Sequence, residues 1–209
     1  MASMTASLLK GSPIIDWGWA GCALESTSGD HHAVVPFGGG ALVALIDGLG
    51  HGPEAAEAAV MAVSVLEAHA GAPVLTLVQR CHDALRKTRG AAMSLVSFNA
   101  LDASMTWTGV GNVEGALLRA AGPWPRASEA IILRGGVVGY RLPPLHANTL
   151  QVNGGDILIL ATDGIRSGFT TGVAIGNAVQ DIAESILARF ATGSDDAHVV
   201  VARYAGVDP

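Results

Sequence analysis

Ala41-Leu42-Val43-Ala44-Leu45-Ile46-Asp47-Gly48-Leu49-Gly50-His51-Gly52-Pro53 is an apolar run that ends abruptly in an acid and a glycine-rich turn. A short, fully apolar run predicts a strand buried on both faces. Pro53 suits the first helical position, where its missing N–H costs nothing. The alanine-rich segment behind it predicts a helix to about residue 70, which Gly71 can end. Asp47 then stands at a strand end on the rim of the core. A carboxylate is expensive to bury unpaired, so a cation or hydrogen-bond donors must meet it there. Taken alone, Asp-Gly and Gly-His-Gly are equally compatible with a plain turn.

Upstream, Trp17, Trp19, Cys22 and Leu24 predict a strand within 14–27. Residues 31–37 form a second strand-like run, and Gly38-Gly39-Gly40 separates it from the apolar run, so the two read as a hairpin. With Gly38-Gly39 as the turn, Phe37 faces Gly40, and Asp30 falls directly opposite Asp47 at the open end. A turn at Gly39-Gly40 or a longer loop shifts this by a residue or two and keeps both acids at the same end. Pro36 has no N–H to donate, which predicts an edge strand or a bulge.

Downstream, a second helix is expected over 73–88, burying Val74, Leu75, Val78, Cys81, His82 and Leu85. Arg86, Lys87 and Arg89 suit the negative end of its dipole as a solvated helix end. Residues 91–99, 104–110 and 113–119 read as a three-strand meander with Gly111-Asn112 as a hairpin turn. The stretch 120–144, with Pro123, Pro125, Pro143 and Pro144, reads as surface connection with short strands at best. Residues 149–152 and 156–161 read as another hairpin around Asn153-Gly154-Gly155, and the second strand again ends in Asp-Gly, at Asp163-Gly164. A helix over 173–190 and a last strand over 197–204, entered from Ser194-Asp195-Asp196, complete the chain. No linker divides it, so residues 1–209 are expected to form one domain.

Composition narrows the function. Half of the 209 residues are hydrophobic and 14% are charged, which excludes a disordered chain. A net charge of −6 argues against non-specific nucleic-acid binding. No apolar stretch approaches the ~18 residues of a membrane span, and residues 1–13 lack the apolar core of a signal peptide. A cytoplasmic protein with no membrane partner is expected. Cys22 and Cys81 have no metal-type spacing and read as free thiols.

Asp47 and Asp163 each leave a strand, and Asp30 and Asp195 each begin one. In antiparallel sheets such ends adjoin, so all four gather at one edge of the fold. Four anions in one place are stable only with cations among them. The donors are all oxygens, which favours Mg²⁺ or Mn²⁺ over Zn²⁺. A carboxylate bridging two such ions about 4 Å apart is an arrangement used for hydrolysis at phosphorus. Neither cysteine lies in a recognisable activation motif for a covalent nucleophile.

The ordered set Ser28-Gly29-Asp30, Ile46-Asp47-Gly48-Leu49-Gly50-His51-Gly52, Val110-Gly111-Asn112 with Leu117-Leu118-Arg119, Gly154-Gly155-Asp156 with Thr162-Asp163-Gly164, and Ser194-Asp195-Asp196-Ala197 resembles the PPM (protein phosphatase 2C-like) family, in its bacterial stage II sporulation protein E-like branch. The resemblance implies an α+β fold, a four-layer α-β-β-α sandwich of two mainly antiparallel sheets flanked by helices. It implies a metal-dependent serine/threonine phosphatase with two Mn²⁺ or Mg²⁺ ions, in which a hydroxide bridging the ions attacks phosphorus. Asp47 would bridge both ions, Asp163 and Asp195 would hold one, and Asp30 with the Gly48 carbonyl would hold the other. Asp47 and Asp163 would be the catalytic pair. A stand-alone domain of this size most resembles the stressosome-type members, which implies phosphorylated STAS-domain partners of the scaffold or anti-sigma-antagonist type.

Two positions depart from the animal-type pattern. Glu25 stands where an arginine five residues before the first acid would grip phosphate, and Leu49 stands where a histidine would follow Asp-Gly. His51 is either a substitute for that histidine or a turn residue. Phosphate grip would then fall to the metals and the helix start near Pro53. A catalytically inactive PPM-type binding module is the main rival. A dinucleotide-binding enzyme is the lesser one, because Pro53 occupies the place of the third glycine.

Overall fold

The computed structural model describes residues 14–121 and 128–206. The leader reading of residues 1–13, and Pro123 and Pro125, lie outside them. One sheet has the order β1 (Ile15–Cys22), β10 (Ala197–Tyr204), β9 (Ile157–Ala161), β6 (Glu114–Leu118) and β7 (Ser128–Ala130). The other has the order β2 (Asp30–Phe37), β3 (Gly40–Gly48), β4 (Ala91–Asn99), β5 (Ser104–Val110) and β8 (Asn148–Gln151). All named strand pairs are antiparallel. The glycine turn after Asp47 therefore has no parallel βαβ unit around it, which removes the dinucleotide-fold reading.

Alternation along the strands sorts side chains into layers. Val43, Leu45, Val96, Leu158, Val200 and Tyr204 fill the space between the sheets. Leu42, Ala44 and Ile46 face the opposite way, onto α1 (Pro53–His69) and α2 (Val74–Leu85). Ile157, Ile159, Val199 and Val201 pack on α3 (Val179–Phe190). The result is the expected α-β-β-α sandwich. The buried side of α1 is nearly all alanine, Ala55, Ala58, Ala59 and Ala62, so its backbone lies close on the sheet. On α2 the buried face holds Leu77 in place of the expected Leu75, which is only partly covered. Each fully buried Leu or Val contributes about 1.5–3 kcal/mol. That helix stops at Leu85, three residues early, because the Thr88 hydroxyl takes the Leu85 carbonyl at 2.8 Å and folds the chain back. His82 accepts the Gly139 N–H at 2.9 Å, as a helix-face residue.

The β2–β3 hairpin has the register expected from the two glycines, Phe37 opposite Gly40 and Asp30 opposite Asp47. The strand carrying Pro36 is the sheet edge. Two other expected hairpins are not hairpins. After β5 the chain leaves its sheet at Gly111-Asn112 and joins the opposite one as β6, and β5 pairs with β8 instead. Gly111 makes the exit with φ +96, where a Cβ would lie 2.4 Å from that of Ala92. Asn153-Gly154-Gly155 is likewise a crossover, from β8 in one sheet to β9 in the other. The third helix starts at Val179, six residues later than expected, after turns closed by Val173 N–H to Thr170 and Asn177 N–H to Ala174. Arg203 takes the Ile175 and Asn177 carbonyls as acceptors, which holds that segment open.

Candidate active site at one end of the sandwich

Both Asp-Gly pairs sit where backbones nearly touch. A Cβ at Gly48 would lie 2.1 Å from the Ala55 carbonyl oxygen, and one at Gly164 would lie 2.0 Å from that of Asp196. Neither glycine has positive φ, so the glycines serve close approach and not turn geometry. The first contact brings the start of α1 onto the end of β3. The second brings the chain after β9 onto the start of β10. Gly48→Ala and Gly164→Ala should each lower thermal stability, by about 1–3 kcal/mol or more by overpacking. Equal melting temperatures for wild type and both variants would contradict these contacts.

The four acids named from sequence converge. Asp30 and Asp47 are rung partners on β2 and β3. Asp163 follows β9 and Asp195 precedes β10, neighbouring strands whose ends adjoin. Burial is the main cause that pushes Asp30 up to about 7, with Asp196, Asp163 and Asp195 adding repulsion. Burial also pushes Asp47 up to about 8, and Asp30, Asp163 and Asp195 repel its charge in turn. The Gly48 carbonyl faces Gly29, just before Asp30, 3.3 Å from where a Cβ of Gly29 would stand.

Neighbouring groups orient these acids. The Thr162 hydroxyl donates to Asp30 at 2.8 Å and accepts the His198 N–H at 2.9 Å. The Asn112 amide donates to Asp163 at 2.6 Å. Asp196 is buried and accepts the Leu24 and Gly29 N–H groups at 2.7 and 2.6 Å, fastening the loop that leads to Asp30. Its neighbour Asp195 stays exposed at the mouth. The inward direction of Asp196 was readable from its parity with His198 and Val200. The role of Asn112 left no local signal, because its partner lies on another strand end.

Among the described residues, no three of these side chains stand close enough to form a finished metal-ligand cluster. The donor set nevertheless fits hard divalent cations. It is all oxygen, and among the described residues none of Asp30, Asp47, Asp163 and Asp195 pairs with a basic side chain. The raised carboxyls give a sign that can be tested. The folded protein holds protons that the unfolded chain releases near pH 4, so this stability is fully present below that pH and is lost up to pH 7–8. Metal-free protein should therefore melt lower at pH 8 than at pH 5.5, and Mn²⁺ should reverse the difference. A flat profile without metal would contradict the cluster.

On the rim, His51 Nδ1 lies 3.0 Å from Glu25, so the candidate substitute histidine pairs with the acid that stands in the place of the phosphate-gripping arginine. Arg89 pairs with Glu54 in the first turn of α1 and lies over Gly50. Behind the carboxylates, His32 Nδ1 and His198 Nε2 are 2.9 Å apart, and the Trp19 indole stacks on His198 with centroids 5.0 Å apart.

A model of the stage II sporulation protein E (SpoIIE) family matches residues 38–205. The chain is 26% identical over 160 residues to the phosphoserine phosphatase RsbX of Bacillus subtilis (strain 168), covering 74% of this chain and 76% of that one. It superposes with a TM-score of 0.81, at 28% identity, on a chain from the structure reported as "The bacterial stressosome: a modular system that has been adapted to control secondary messenger signaling", covering 90% of this chain and 99% of that one. With RsbX in complex with magnesium the TM-score is 0.82 at 22% identity, over 93% and 98% of the two chains, which is a likeness of fold. Among the described residues no helix is long and apolar enough to cross a membrane. The chain belongs to the SpoIIE family of PPM-type phosphatase domains.

Proposed function

We propose that this chain is a metal-dependent phosphoserine/phosphothreonine protein phosphatase acting on phosphorylated STAS-domain proteins of a stressosome-type pathway. The observation that carries the reading is the set of four carboxylates at one end of the sandwich with no basic partner among the described residues. The likeness to RsbX, a phosphoserine phosphatase, and to a stressosome structure supports the substrate class.

Asp47 would be shared between two metal positions, with Asp163 and Asp195 on one side and Asp30 with the Gly48 carbonyl on the other. Two bound Mn²⁺ or Mg²⁺ ions would supply Lewis acidity toward the phosphoryl oxygens and acidify water. Within the protein, Asn112 holds Asp163 and Thr162 holds Asp30, so the carboxylates are oriented before substrate arrives. The first turn of α1 packs on Gly48, next to Asp47, and has no side-chain cap.

Purified protein should lose phosphatase activity in EDTA and recover it with Mn²⁺, more than with Zn²⁺. A phosphoserine STAS-domain protein should be a better substrate than any phosphotyrosine peptide. Full activity in metal-free buffer, or a preference for phosphotyrosine, would overturn the reading. Metal-dependent binding of phosphoprotein without hydrolysis would favour the inactive binding module.

A further inference from the structure

Beside the carboxylate cluster a cavity of about 410 Å³ opens between the edge strands of the two sheets. Trp19 and Cys22 of β1, Thr27 and Ser28 of the loop, and His31 and His198 line it, and Asp30 belongs to both the cavity and the cluster. We infer that this cavity is a specificity pocket that takes an apolar side chain, aromatic best, from the residues flanking the phosphorylated one. This rests on the phosphatase reading and adds what the site selects.

The lining argues for that class of occupant. Trp19 is 39% exposed. One of its faces stacks on His198, with 4° between the rings. The imidazoles of His32 and His198 share a hydrogen bond, which requires one ring to act as acceptor, so the pair is not doubly charged. Among the described residues no lysine or arginine lines the cavity, and the carboxylate at its inner edge opposes an anion. An apolar ring can cover Trp19 and Cys22 at little polar cost, and an aromatic pair of this kind gains about 0.5–1.5 kcal/mol beyond its buried area. Because the cavity and the cluster share Asp30, a residue close in sequence to the phosphorylated one can reach it.

The cysteines provide a probe. Cys22 is exposed in the cavity wall, and Cys81 is on the buried face of α2, so a maleimide should modify only Cys22. The experiment uses phosphoserine peptides that differ at one flanking position, Phe, Leu, Asp or Lys, with p-nitrophenyl phosphate as a substrate too small to need the cavity. Wild type should prefer Phe over Asp by roughly 10-fold or more in kcat/KM, the scale set by one apolar group in a pocket. Trp19→Ala should erase that preference and leave p-nitrophenyl phosphate turnover within 2-fold. Maleimide on Cys22 should do the same, and the Phe peptide should slow the modification more than the Asp peptide. If wild type hydrolyses p-nitrophenyl phosphate with Mn²⁺ but shows no flanking preference, or Trp19→Ala keeps it, the pocket assignment is wrong. If wild type hydrolyses nothing with metal, the phosphatase reading fails instead. The protection of Cys22 then decides the pocket alone: equal rates with both peptides overturn it.

Discussion

Asp47→Asn is expected to lower kcat/KM by roughly 10³-fold or more, the scale of losing a central electrostatic stabiliser. Asp47 faces Asp30 across the hairpin and feels Asp163 and Asp195 from the other sheet, and in the proposed ligand set it is the carboxylate shared by both ions. The substitution keeps the size and removes the charge. It also relieves repulsion in a crowded anionic site, so thermal stability in EDTA should be unchanged or higher. On the proposed ligand set, calorimetric titration with Mn²⁺ should give two events in wild type, one in Asp30→Asn, and at most weak residual binding in Asp47→Asn. Near-normal activity with two-site titration in Asp47→Asn would remove this strand end from the centre of the active site.

Asp156→Ala should produce the opposite pattern, a large loss of stability with the chemistry untouched. Its carboxylate is 1% exposed and accepts from the Ala120 N–H, the Asn153 N–H and the Arg119 guanidinium. It ties the end of β6 to the crossover that begins β9. Breaking a buried pair by removing one partner costs about 3–5 kcal/mol, and the lower end applies because Arg119 keeps Glu129 and the Gln151 carbonyl. At about 2–4 °C per kcal/mol for a chain of this size, melting should fall by roughly 6–12 °C. Asp156→Asn, which keeps an acceptor oxygen, should lose less. A shift under about 2 °C for the alanine variant would show that this carboxylate does not fasten the sheets.

Asp156 also marks where sequence reading reached and where it stopped. Gly154-Gly155-Asp156 stood out in the sequence as a motif, yet its acid turns inward to hold two connections together. The Asp30–Asp47 pairing was legible because two glycines set a local register and parity did the rest. The convergence of all four acids followed from strand ends, without knowledge of which sheet each strand joined. That knowledge was missing at Gly111-Asn112 and at Asn153-Gly155. Alternation identifies a strand but not its partner, and a two-residue turn signal looks the same whether the chain doubles back or crosses over. Asn112 on Asp163 and Thr162 on Asp30 were hidden for the same reason, since each contact exists only once two sheets face each other.

The pairing of Ile15 with Tyr204 places the first and last strands side by side. Closing so long a loop is an entropic cost that local hairpins do not carry. On the ribosome, β2, β3, β4 and β5 can pair as they emerge, while β1 waits with Trp17 and Trp19 uncovered until β10 is made. An unpaired apolar edge held open through most of synthesis invites association with other chains and with chaperones. Asp195 and Asp196 arrive with that same last strand, so a nascent chain stalled before them would carry three of the four clustered carboxylates without the fourth, and could not yet remove a phosphate from anything.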